Sequence, residues 1–142
     1  MRVSKEDFRE AGRGAFPGLL GVELEDIREG SATMRLPLRP DHLAPNGFLH
    51  AGAVVGLADT ACGYGCVASL PEGAVGFTTV ELKSNFLATA REGELVCEAT
   101  MAHGGRTTQV WDAVVRDGTG RTIALFRCTQ LVLAGGATSA ST

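Results

Sequence analysis

The 142 residues carry no excess of basic charge, no Cys-x-x-Cys pair, no apolar signal core and no internal repeat. Each absence narrows the field. With a formal net charge of -3 there is no clustered basic face for nucleic acid. Cys62, Cys66, Cys97 and Cys128 lack the spacing of a structural zinc site, and no metal is expected. Cys62 and Cys66 lie four apart and would share a helix face. All four are expected as small buried thiols in a reducing compartment, the cytoplasm, rather than as disulfides. The opening MRVSKEDFRE has no signal-like apolar core, so secretion is not expected.

What is present fits one domain with a sizeable core: 44% hydrophobic residues, 20% charged, and 19 glycines that imply tight turns or close backbone approaches. The longest apolar run is AGAVVGLADTACGYGCVASL, Ala51 to Leu70, and only Asp59 in it carries formal charge. Its length would suit a membrane span. Its glycines and alanines, the central Asp59-Thr60 pair and the amphipathic strands around it favour a buried core helix of a soluble fold instead, with no membrane partner.

Taken in order, residues 4–13 predict a short helix, with Ser4 as cap and Glu6 and Asp7 in its first turn. Gly12, Gly14 and Pro17 stop it. From Gly21 the period becomes two: Val22 and Leu24 alternate with Glu23 and Glu25, then Glu29-Gly30 turns into Ala32, Met34, Leu36 and Leu38. A loop from Arg39 to about Leu49 leads into the apolar helix, which ends near Leu70 before Pro71 and Gly73. Four further strands are predicted at 78–87, 94–101, 107–116 and 122–133, with Val80, Leu82 and Phe86 on one side of the first. The expected architecture is α+β, one curved antiparallel sheet wrapped around one long helix. An N-terminal helical segment (1–17) precedes this domain (18–133), and a tail (134–142) with nothing to bury is expected to be disordered.

The start of the long helix leaves backbone N–H groups unpaired, and Ala51, Gly52 and Ala53 there are small. Such amides suit an oxyanion, although small residues equally let a helix end pack closely. Asp59 should resist ionisation if buried, and can serve as general base or nucleophile, or as a structural Asp bonded to Thr60, Tyr64 or a strand. Ala51 and Asp59 are eight residues apart, roughly 12 Å along one helix. One reacting carbonyl must lie ~3 Å from each participating group, so both can act only if they come from different copies. A catalytic reading therefore predicts a homodimer with two composite sites.

The stretch Asn46-Gly-Phe-Leu-His-Ala-Gly-Ala-Val-Val-Gly-Leu-Ala-Asp-Thr-Ala, with Thr79-Val-Glu-Leu-Lys-Ser-Asn-Phe-Leu after it, resembles the hotdog-fold acyl-CoA thioesterases of the phenylacetate-pathway (PaaI) type. These are relatives of 4-hydroxybenzoyl-CoA thioesterases with an acidic catalytic residue. The resemblance covers residues 18–133 and implies the hotdog fold, acyl-CoA hydrolysis without a cofactor, and a homodimer that pairs into a homotetramer. It implies Asp59 as catalytic carboxylate, the Ala51 N–H as carbonyl donor where relatives have Gly, His50 as support of the helix start, and Thr79 as a hydroxyl near the attacking water. Two departures stand out. Ala44 occupies the position of an amide side chain, with Asn46 the nearest replacement, and His50-Ala51-Gly52 stands for His-Gly-Gly.

For the CoA phosphates the candidates are Arg91, Arg106, Arg121 and Lys83, with Arg106 favoured by the resemblance. Val54, Leu57, Cys62 and Phe48 are candidates for the acyl pocket. His42 and His103 are expected in surface loops. A non-hydrolytic acyl-CoA-binding protein of the same fold is the alternative, given weight by Ala44. A dehydratase or hydratase would need a histidine–acid arrangement that is absent.

Overall fold

A computed structural model describes residues 3–135. The expected tail residues 136–142 lie outside that range. Helix α1 spans Lys5–Gly12. It starts at a reciprocal capping box: Ser4 Oγ accepts the Asp7 N–H, and Asp7 Oδ2 accepts the Ser4 N–H. Those bonds hold the Asp7 carboxyl below its usual range. Phe8 and Gly12 are the buried residues of α1, and Phe8 packs on Tyr64 at 5.0 Å between ring centroids.

A second helix, α2 (Phe16–Leu20), occupies a stretch where the sequence predicts only a stop. Pro17 and Gly18 read as breakers, but Pro17 falls in the first turn. There its fixed φ fits a helix and its missing N–H is not needed. Gly21, at φ 90°, ends it. Strands β1 (Glu23–Arg28) and β2 (Ser31–Pro37) form the predicted hairpin, turned at Gly30. A 3-10 turn at Pro40–His42 leads into the loop before helix α3, Ala51–Ala68. Then come β3 (Ala74–Phe86), β4 (Glu94–Gly104), β5 (Thr108–Asp117) and β6 (Thr122–Ala134).

The six strands make one antiparallel sheet in the order β1-β2-β4-β5-β6-β3. Helix α3 lies across its concave face, over β2, β4 and β5. It is long and apolar enough to cross a bilayer, but most of it is buried inside the fold. The strands contribute their alternate residues to that interior: Met34 and Leu36, Leu95 and Cys97, Trp111 and Val115. Trp111 lies so close that a Cβ on Gly65 would stand 2.5 Å from its ring. Its Nε1 donates to buried Gln109 Oε1 at 2.7 Å, and Gln109 Nε2 donates to the Ser69 carbonyl at 2.9 Å. The C-terminal end of α3 is thus satisfied from the sheet, as buried polar groups require.

Two expectations need correction. β3 begins four residues before the predicted start, and register shifts at Ala74/Gly76 and Thr79/Glu81 break its period. Val80, Leu82 and Phe86 are 58%, 43% and 48% exposed on an edge strand bonded only to β6. His42 is not at the surface but 3% exposed, because its ring bonds to main-chain groups on two sides.

Candidate active site

His50 caps α3. Its Nδ1 accepts the Gly52 N–H at 2.7 Å, and its carbonyl accepts the Ala53 N–H at 3.0 Å. A Cβ at Gly52 would meet that ring nitrogen at 2.9 Å, so a glycine suits the cap. Of the two amides expected to face a ligand, Gly52 is therefore already engaged. The Ala51 N–H has no protein acceptor among the described residues, and Ala51 is exposed.

Asp59 lies two turns further along the same helix, half-buried. Its Oδ1 is buried and has no hydrogen-bond partner. Neither structural partner proposed for it is engaged: the Thr60 hydroxyl donates to the Gly56 carbonyl at 2.7 Å, and Tyr64 packs on Phe8. Burial pushes the Asp59 carboxyl above its ordinary range. Gly56 and Gly63, three before and four after Asp59, share its helix face. The Leu20 and Phe16 side chains of α2 close on Gly56, where a Cβ would stand 2.8 and 3.0 Å from them. Phe77 of β3 closes on Gly63 at 3.1 Å by the same measure. The carboxylate is thus bracketed by apolar side chains along its helix.

Thr79 lies two residues beyond Phe77, on the same face of β3. Its hydroxyl donates to Oε1 of fully buried Gln130 at 2.6 Å, which leaves its own lone pairs available. Asn46 lies in the loop before α3. It is exposed at the loop tip, where its Oδ1 accepts the Phe48 N–H at 3.1 Å beside Gly47 at φ 87°. Its side chain thus closes the turn around Gly47. Phe48 is exposed, with the Arg91 guanidinium 4.9 Å above its ring. Arg106 is exposed in the β4–β5 turn, whereas Arg121 is held by Asp117 and the Thr89 carbonyl.

Val54, Leu57 and Cys62, expected at the acyl pocket, are all buried in the core of this chain. A hydrogen bond with Cys128, then burial, holds the Cys62 thiol well above its ordinary range. No three His, Cys, Asp or Glu side chains converge as a ligand set among the described residues. A cleft of about 450 Å³ lies between α1, α2 and the β1–β2 hairpin, lined by Phe8, Leu24, Met34 and Tyr64 among others. Neither Ala51, Asp59 nor Thr79 lines it, so this cleft is not where the candidate groups meet. Gln130, Phe77 and α2 were not legible as site features. The one signal for Gln130 was a polar residue at an inward position of β6, after Phe126 and Cys128.

The family described as Thioesterase superfamily matches residues 46–124. A 1,4-dihydroxy-2-naphthoyl-CoA hydrolase of Listeria monocytogenes is 31% identical over 80% of this chain and 91% of its own. A mutant thioesterase from Pseudomonas aeruginosa superposes with a TM-score of 0.88 at 27% identity, over 94% of this chain and 96% of that one. A hypothetical thioesterase protein from Streptococcus pneumoniae, solved with coenzyme A, shares the fold at a TM-score of 0.78 and 23% identity, over 93% and 98%.

Proposed function

This chain belongs to the thioesterase superfamily, and from that premise we infer its reaction and the residues that carry it out. It is a hotdog-fold acyl-CoA thioester hydrolase that yields a free acid and CoA. The observation that carries the site assignment is the buried, unpartnered Oδ1 of Asp59. A carboxylate oxygen left this way destabilises a fold unless something else uses it. Its raised pKa suits a general base, because the basicity is brought nearer to the working pH. Asp59 takes a proton from water as the water attacks the thioester carbonyl. The Thr79 hydroxyl accepts a hydrogen bond from that water, oriented by Gln130. The Ala51 N–H faces the oxyanion, and Phe48 with Arg91 and Arg106 lies toward the CoA portion.

Ala51 and Asp59 belong to one continuous helix and cannot reach one carbonyl. The site is therefore composite, with Ala51 of one subunit beside the partner's Asp59. Support comes from β3, a 13-residue edge strand that exposes Val80, Leu82 and Phe86. An unpaired apolar edge is a template for a second copy. Pairing of dimers into a tetramer would use exposed side chains such as Leu125 and Leu131. Four unbridged thiols support a reducing compartment, the cytoplasm.

Acetyl-, octanoyl-, benzoyl- and 1,4-dihydroxy-2-naphthoyl-CoA, each with a thiol reagent that reports free CoA, test the activity. Asp59→Asn should lose about a thousandfold or more in kcat while remaining folded. Full activity in that variant would remove Asp59 from the mechanism. Ala51→Pro deletes the N–H at a position where proline is tolerated. Inactive Asp59→Ala and Ala51→Pro chains, mixed, should recover one of two sites per dimer. No recovery in verified mixed dimers would count against composite sites.

A further inference from the structure

The loop from Arg39 to His50 holds two side chains that the chemistry above does not use. The buried His42 ring places Nε2 2.7 Å from the Leu20 carbonyl, and its Nδ1 accepts the Arg39 N–H at 3.1 Å. A ring nitrogen that accepts an N–H carries no proton, so Nε2 carries it and donates to Leu20. The Arg39 guanidinium adds bonds to the carbonyls of Leu19 at 2.6 Å and Leu20 at 2.9 Å. These are the last carbonyls of α2, which a helix end leaves without partners. Gly21 makes room for them, because a Cβ there would stand 2.7 Å from the guanidinium.

The backbone of His42 reaches the other way. Its carbonyl accepts the His50 N–H at 2.9 Å, and His50 is the cap of α3, next to the free Ala51 N–H. One residue is thus bonded to α2 through its ring and to the start of α3 through its carbonyl. At its far side α2 lays Leu20 and Phe16 on Gly56, one turn before Asp59.

We propose that His42 is a positioning residue. Its ring, locked onto the end of α2, fixes the direction of its own carbonyl and hence of the Ala51 N–H at the start of α3. The proposal rests on the thioesterase reading, in which that N–H meets the developing oxyanion. Such a donor helps only if it is held in place before reaction, and a displacement near 1 Å costs up to about a hundredfold. The loss falls on kcat rather than KM, since the donor is needed most in the transition state.

His42→Leu keeps an apolar filling but deletes both ring bonds, and His42→Gln restores a donor and an acceptor. Two quantities decide: kcat and KM on the acyl-CoA that the panel shows to be hydrolysed fastest, and the backbone amide chemical shifts of Ala51 and Gly52. His42→Leu should lower kcat about tenfold or more, leave KM within about threefold, and move both shifts. His42→Gln should recover most of the loss. A folded His42→Leu with wild-type kcat and unmoved shifts overturns the proposal, even if its Tm is lower. Should His42→Leu not fold, His42→Phe, which fills the space without a donor or acceptor, serves in its place. It deletes both ring bonds and should move the same shifts in the same direction; unmoved shifts overturn the proposal. Asp59→Asn, run alongside, separates the two ideas. Undiminished hydrolysis there rejects the mechanism, while the amide shifts still judge His42.

Discussion

The two edges of the sheet are built in opposite ways. β1 is six residues long, bulged between Leu24 and Asp26, and lined by charge. Arg28 and Lys5 pair with Asp26, and Arg9 of α1 donates to the Leu24 carbonyl at 2.9 Å. A short, charged, bulged and covered strand offers little to a second chain. β3 is 13 residues long, bears no covering helix on its outer edge, and exposes Val80, Leu82 and Phe86. Its Phe77 closes on Gly63, one turn beyond Asp59 on α3. The open edge and the unpartnered carboxylate therefore belong to the same side of the molecule. The contrast teaches that one edge is closed within the chain, while the other leaves a long apolar strand open to pairing.

The strongest way to break that contrast is to give β3 the charges that β1 has. Val80→Lys with Leu82→Lys should leave the fold intact, convert the proposed dimer to monomer, and lower kcat/KM about a hundredfold or more, because each proposed composite site loses either its amide or its carboxylate. Sedimentation and CoA release on the same sample check this; an active monomer would reject composite sites.

The next effect concerns the cost of leaving Asp59 open. Burial raises its carboxyl, so the folded chain holds that proton more tightly than the unfolded chain does. Stability from this group is fully present below the unfolded carboxylate pKa, about 3.9, and is lost as pH rises through the raised folded value. Asp59→Asn removes the loss. It should stabilise the protein at neutral pH and change its stability little at about pH 3. Denaturant titrations at the two pH values measure it. Activity should move the other way, falling as pH drops through the raised value, since a general base must be ionised.

At the closed edge the effects are smaller and confined to stability. Ser4→Ala removes half of the α1 capping box and should cost ~1 kcal/mol, a Tm fall of about 2–4 °C, with kcat unchanged. Asp26→Asn on β1 should leave stability nearly unchanged and the assembly as it is. Dissociation caused by either change would show that β1, not β3, meets the partner.

Much of this contrast could be read before any coordinates. The alternation in β2, β4 and β5 marks residues such as Met34, Cys97 and Trp111 as inward, because a sheet covered on one face by α3 enforces period two. The limits of α3 were visible from His50 and the Pro71-Gly73 break, to within two residues. α2 was not, since Pro17 and Gly18 mean one thing in a loop and another in a first turn. Nor was β3's edge, because its register shifts hide the period that would have shown where Leu82 and Phe86 point.

The site divides along the same line. Asp59 and Ala51 were marked by residue type and spacing, His50 by the family resemblance, and the two-chain reading followed from the separation of Ala51 and Asp59 on one helix. Local chemistry dictates such features, since helix rise and capping depend on neighbours in the chain. The tertiary structure decided the rest: that the Gly52 N–H is taken by His50, that Thr79 leans on Gln130, that His42 is buried between α2 and α3, and that Val54 and Cys62 face the core. Each depends on a contact between segments distant in sequence, or on a side chain choosing one hydrogen-bond partner over another. Those choices are made only when the sheet closes over the helix, where an unpaired buried group is costly enough to fix where each one goes.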